Sequence, residues 1–240
     1  MLDNKQKDRY FHTTFLKEIG EKGQEKLLNS KVLVIGVGGL ASPTLIYLAS
    51  MGVGQIDIVD DDVVSLNNLP RQIIFDEEDI GKKKTEVIKA KLEKKNKDIR
   101  VSIFDTKIRA NNAKEIIKGH DIVLECSDDF VTKFLVNDTC LELGIPFVIA
   151  GVSDYQGQVC TCIPNKSKDF KSLFSILPID IDDKYREEDQ GVFPPSIGVV
   201  SNIAGGEVIK YLLGIDTLLL NKMAVLNLKY NKYQIIEFPD

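Results

Sequence analysis

The chain has 240 residues, 43% of them hydrophobic, and a formal net charge of −5. That length suits one large α/β domain or two small ones, and the apolar content is enough for a sizeable core. The acidic balance argues against a general nucleic-acid surface, and no apolar run is long enough for a transmembrane helix, so neither nucleic acid nor membrane is an expected partner. The first residues are polar with no signal-peptide core, which makes the cytoplasm the expected location. Four cysteines, Cys126, Cys140, Cys160 and Cys162, form no CxxC pair and signal neither a zinc site nor a dithiol motif.

Residues 1–30 are charged, with a helical pattern around Phe15, Ile19 and Leu27, and read as a helical arm on the sheet edge. An apolar strand over 31–35 leads into the turn Gly36 to Gly39. A helical pattern follows over 40–51, then a β-branched strand over 55–59 that ends on Asp60. Residues 61–81 have little periodicity, and a loop that long in a compact domain tends to be functional. The spacing then predicts a helix over 82–96, a strand over 101–104, a short helix over 111–118 and a strand over 121–125. A helix over 129–143, stopped by Gly144, and a strand over 146–150 complete the alternation. Strands alternating with helices predict an α/β fold with a Rossmann-like, doubly wound, mainly parallel sheet.

The alternation then breaks. A strand over 158–163 is followed by an irregular crossover stretch over 164–191, a long helix over 194–213 with prolines in its first turn, and a hairpin from 223–228 and 233–238. This predicts a mixed or antiparallel C-terminal extension. With no internal repeat or low-complexity linker, residues 1–240 read as one domain.

Gly36, Gly38 and Ala41 occupy the small positions of the G-x-G-x-x-G/A fingerprint, between a strand and a helix. Small residues there let the backbone approach phosphates, and the helix start offers free N–H groups to an anion. Asp60 is placed to accept bonds from a ribose. Arg71, in the loop with Asn67 and Asn68, suits two-pronged pairing with phosphate oxygens, or is a solvated surface arginine. Lys84 opens a helix, against the dipole, and so suits an anionic partner, though neighbouring lysines are commonly just solvated. Asp128 follows a strand and precedes a helix, so it either caps that helix or holds Mg²⁺ by hard oxygen coordination. Together these groups are the parts needed to transfer a nucleotidyl group from ATP to a carboxylate. A carboxylate is already ionised at neutral pH, so no general base is required. The obstacle is its repulsion from the α-phosphate, which Arg71, Lys84 and Mg²⁺ offset.

The glycine turn with its Leu40-Ala41 continuation, Asp60 to Asp62, Asn67 with Arg71 and Gln72, Gly81 with Lys84, and Ser127-Asp128 occur in the order and spacing of the ubiquitin-activating-enzyme-like adenylyltransferases. The chain most resembles the MoeB/ThiF/HesA group, from about Arg9 to Leu213. The resemblance implies ATP-dependent activation of the C-terminal glycine of a small ubiquitin-fold sulfur-carrier protein, ending in Gly-Gly, as an acyl adenylate. It implies that Gly39 and Asp60 touch the nucleotide, that Asn68, Arg71 and Lys84 touch phosphates, and that Asp128 is the Mg²⁺ ligand. Asp129, where the family usually has asparagine, stands among the nucleotide-contacting positions and adds negative charge there. The resemblance also implies a homodimer in which an N-terminal residue reaches the partner's ATP site. The family's second arginine of R-Y-x-R is His12 here, so Arg9 or His12 takes that role or the role is missing.

Two further departures bear on function. The CxxC pairs that hold zinc in many members are missing, so no zinc is expected. The loop before Gly191 lacks the cysteine that forms a persulfide or thioester, so the reaction is expected to stop at the adenylate. Cys160 and Cys162, on the preceding strand, are poor substitutes. Three alternatives are open: adenylation of a peptide C-terminus in peptide-nucleotide biosynthesis, an NAD-dependent oxidoreductase sharing the glycine turn, and a degenerate nucleotide-binding module.

Overall fold

The structure, a computed structural model, describes residues 1–176 and 191–238. The apolar runs form β1 (Lys31–Ile35), β2 (Gln55–Val59), β3 (Arg100–Phe104), β4 (Ile122–Glu125) and β5 (Phe147–Ser153). These pair in parallel in the order β3-β2-β1-β4-β5. The sheet continues antiparallel through β6 (Gln156–Cys162), β7 (Lys222–Asn227) and β8 (Lys232–Glu237). The result is an eight-stranded mixed sheet with the expected doubly wound half and antiparallel extension.

Helices cover both faces of the parallel half. Val32 and Val34 of β1 point into one apolar layer, with residues of α4 (Ala41–Ser50), α5 (Lys84–Lys95) and α9 (Pro194–Leu213). Leu33 and Ile35 point into the other, with α6 (Ala113–Ile117) and α7 (Phe130–Leu143). The period of two in a strand makes one short run serve both layers. Each such side chain, taken fully out of water, contributes about 1.5–3 kcal/mol. Gly144 ends α7 in the left-handed conformation, φ 68°, as its position predicts.

Some boundaries differ from the sequence reading. The N-terminal arm is three short helices, α1 (Asn4–Arg9), α2 (Phe11–Thr14) and α3 (Gly20–Leu28). The arm packs under the far ends of α4 and α5: Gln24 donates to the Met51 carbonyl (2.8 Å), and the Tyr10 hydroxyl accepts from Asn96 (3.0 Å). The long loop after β2 holds two 3-10 turns, Leu66–Asn68 and Glu77–Asp79. Within the stretch expected to be irregular, α8 (Phe170–Ile176) is a helix, with Asp169 bonding the Ser172 amide. Residues 177–190 of that stretch, which include the cysteine-free segment 186–190, lie outside the described residues.

Candidate active site

Strands β1 and β4 are neighbours, yet the chain winds away from them in opposite directions, so the crevice of the sheet opens at their C-terminal ends. The glycine turn sits there. Gly36 has φ +78°, and a Cβ on it would stand 2.8 Å from the Ser127 nitrogen. A Cβ on Gly39 would stand 3.1 Å from Ile197 Cδ1 and 3.3 Å from the Arg71 carbonyl oxygen. Packing within the chain therefore accounts for both. At Gly38 the nearest atom is the Gln72 amide nitrogen, at an ordinary 3.5 Å. Leu40, the N-cap of α4, gives no side-chain cap; the Ser42 amide bonds the Gly38 carbonyl (3.1 Å) and Pro43 has no N–H, so among the described residues it is the amides of Gly39, Leu40 and Ala41 that are open to an anion.

Asp60 is built into this turn. One carboxylate oxygen accepts from the Val37 amide (2.8 Å) and the other from the Asp62 amide (2.8 Å). Burial raises its pKa against those two bonds. Each oxygen retains a further lone pair for a sugar hydroxyl. Asp60, Asp61 and Asp62 form a compact carboxylate group, their ligand atoms within 4.8 Å of one another. Lys84 answers part of that charge through a 2.8 Å ion pair with Asp62. Its side chain is buried, so the lysine is a fixed cation and not one of a solvated trio.

Arg71 follows the first 3-10 turn and donates to the Asn67 carbonyl (2.8 Å), which sets the guanidinium while its other N–H groups are left for an anion. Asn68 is buried and accepts from the Ser65 amide at 3.3 Å. Its side chain shapes the loop from inside.

The two aspartates after β4 separate by role. Asp129 is the N-cap of α7, accepting from the Val131 amide (3.0 Å), the Thr132 amide (3.2 Å) and the Thr132 hydroxyl (2.6 Å). Burial works against its ionisation, but these bonds hold its carboxyl below the usual range. Capping was a reading for Asp128; the structure gives it to Asp129. Asp128 is exposed and makes no hydrogen bond or ion pair among the described residues. Behind it lies a group that the motifs did not single out. Glu125 and Lys133, both fully buried, form an ion pair. Glu125 accepts from the Ser127 amide (2.8 Å), and Lys133 donates to the Ser127 carbonyl (2.7 Å) and the Ala150 carbonyl (2.9 Å). The pair thus grips Ser127 from both sides and fixes the turn that presents Asp128. The available signal was a lysine on the apolar stripe of Lys133, Val136 and Cys140.

Arg9 is held by its own chain, with Asp98 at 3.4 Å and the Lys95 carbonyl at 3.5 Å. His12 is exposed beside Phe11, Phe15 and Leu16, which are 51%, 72% and 55% exposed. All four cysteines are buried as free thiols, and burial pushes those of Cys126 and Cys140 well up.

A doubly wound sheet with a glycine turn, two positioned cations and a free carboxylate at its switch point defines a nucleotide-binding α/β enzyme. The ThiF family pattern matches residues 10–240, and the chain belongs to that family. It is an adenylyltransferase. It is 36% identical over 214 residues to the SAMP-activating enzyme E1 of Haloferax volcanii, covering 88% of this chain and 78% of the relative. Against the sulfur carrier protein ThiS adenylyltransferase of Escherichia coli it is 35% identical over 210 residues, 87% of this chain and 82% of that one. The solved structure of E. coli MccB with ATP superposes with a TM-score of 0.86 at 27% identity, covering 98% of this chain and 71% of MccB. MccB with MccA-N7isoASN gives 0.87, at 27% identity and 98% and 73% coverage.

Proposed function

We propose that this chain activates the C-terminal carboxylate of a small ubiquitin-fold carrier protein with ATP and Mg²⁺, and that it stops at the acyl adenylate. One observation carries the reading: every candidate segment meets the glycine turn. Gly36 abuts Ser127 beside Asp128, Gly39 abuts the Arg71 carbonyl, and Val37 bonds Asp60. Lys84 joins through Asp62.

In this reading the turn and the open end of α4 receive the phosphates, and Asp60 accepts from the ribose. A carboxylate oxygen of the carrier attacks the α-phosphorus. The new O–P bond forms as the bond to the β-phosphate oxygen breaks, and pyrophosphate leaves without any proton transfer. Arg71 and Lys84 reduce the repulsion between carboxylate and triphosphate and stabilise the leaving charge. Asp128 fits a hard cation, being an exposed carboxylate with no partner among the described residues. Bound Mg²⁺ would add positive charge at the phosphate oxygens. Asp129, committed to the cap, has no direct part in holding phosphates.

The chain acts as a homodimer in this proposal. Arg9 and Tyr10 lie at the end of α4 remote from the glycine turn, so an N-terminal residue serves a partner's site more readily than its own. His12, exposed amid apolar neighbours, is available for that; Arg9 is tied to Asp98. The sequence has no cysteine at 186–190 and no CxxC pair, which supports an end at the adenylate and no structural zinc.

Pyrophosphate exchange into ATP should depend on the carrier and be abolished by Asp128→Ala. Exchange that survives the change would overturn the assignment. The likeness to MccB, solved with the peptide MccA, favours a second substrate, a peptide C-terminus. Mass spectrometry after incubation with ATP separates the two by whether a Gly-Gly-ended carrier or a short peptide gains the adenylate.

A further inference from the structure

Tyr10 is 2% exposed, and it is the one buried side chain between Leu2 and Ile19. Helices α1 and α2, on either side of it, bury no residue of their own. Helices that short do not hold themselves in water. Tyr10 ends α1 and begins α2: its carbonyl accepts from the Thr13 amide (3.1 Å), the Thr14 amide (3.0 Å) and the Thr13 hydroxyl (2.9 Å). Its ring fills space that a glycine leaves open, since a Cβ on Gly52 would stand 2.5 Å from the phenol oxygen. The hydroxyl accepts from the Asn96 side chain (3.0 Å) and donates to the Asp98 carboxylate (3.1 Å). Asn96 also donates to the Ala49 carbonyl (2.7 Å), so these bonds refer the arm to the ends of α4 and α5. Arg9 meets the same Asp98 carboxylate at 3.4 Å, from a partly exposed side chain. Burial pushes the phenol up to about 12, so it stays a donor at neutral pH. Two residues on, His12 is exposed, as are Phe11 and Phe15.

We infer that Tyr10 is a positioning residue, whose hydroxyl sets the direction in which α2 presents His12 to a partner's site. The inference rests on the homodimer reading, which gives His12 that site. A phenyl ring would fill most of the niche beside Gly52 without burying a polar group. The hydroxyl costs desolvation, which its two bonds offset. What those bonds add to apolar packing is orientation, because hydrogen bonds are directional.

Tyr10→Phe removes the hydroxyl and keeps the ring in its niche. The chain has two histidines, so two sets of imidazole signals report on it. In full-length Tyr10→Phe with isotope-labelled histidine, the NMR signals of His12 should shift or broaden, while those of the buried His120 stay in place. Unmoved His12 signals overturn the inference. Carrier-dependent pyrophosphate exchange should fall about tenfold. Unfolded, mixed in equal amounts with Asp128→Ala chains and refolded, Tyr10→Phe should give about fivefold the exchange of the same chains refolded apart. The gain arises because each mixed dimer joins an intact Asp128 to an intact arm. Wild-type exchange in Tyr10→Phe alone overturns the inference. So does an absent gain on mixing where His12→Ala chains do gain against Asp128→Ala, and the shared site then stands. No gain for either pair overturns the shared-site reading on which the inference rests.

Discussion

Gly36 and Gly38 stand two residues apart in one turn, and their loss should have opposite consequences. Alanine at Gly36 has to adopt φ +78° and place its Cβ 2.8 Å from the backbone nitrogen of Ser127, which has no freedom to move. We expect Gly36→Ala to cost at least ~1–3 kcal/mol, read as a lower denaturation midpoint. Alanine at Gly38 meets only an ordinary contact with a side-chain end. Gly38→Ala should leave the midpoint within about 0.5 kcal/mol and still impair ATP binding. The fingerprint in the sequence treats the two alike. It locates a turn, but only the folded chain separates the glycine that packs from the glycine that faces the ligand space. The same limit held at Asp128 and Asp129. Adjacent acids before a helix are interchangeable in a sequence, and a cap is decided by backbone geometry.

At the scale of the element, the turn after β4 depends on a buried charge pair bridging that strand and α7. Glu125 ends β4, and Lys133 comes a turn into α7, so the pair exists only once the helix has folded back on its strand. Sequence periodicity finds the strand and the helix but not the charges that meet between them. Removing one member strands the other without compensation. Lys133→Met is expected to destabilise the chain by about 3–5 kcal/mol in urea or guanidinium unfolding. Adding Glu125→Gln should recover much of that loss, because it removes the stranded charge. The double variant should still be slow in pyrophosphate exchange, since the grip on Ser127 behind Asp128 has weakened. Full exchange activity in a stable double variant would show that the pair serves the fold alone. The helix α8 was hidden for a different reason: it is short, and its pattern blends into the polar stretch around it.

At the scale of the whole molecule, the doubly wound half was legible because strand and helix periods alternate cleanly. The partner-reaching role was not legible, since the residues offered for it, Arg9 and His12, are close neighbours in sequence. Folding distinguishes them: Arg9 spends its charge on Asp98, and His12 faces solvent beside exposed Phe11 and Phe15. If each site of a homodimer combines Asp128 of one protomer with His12 of the other, the two lesions should complement in trans. Asp128→Ala and His12→Ala chains would each be inactive alone. Unfolded separately, mixed in equal amounts and refolded, they form mixed dimers in which one site carries both lesions and the other carries neither. Random pairing then restores about a quarter of the sites, and exchange activity should recover to about that fraction of wild type. A chain that acts as a monomer, or a histidine that serves its own site, gives no recovery, because every protomer then keeps its own lesion. Sedimentation of the same mixture at the assay concentration fixes the dimer fraction, so that absent complementation in a dimer rules against His12 and a monomer rules against the shared site.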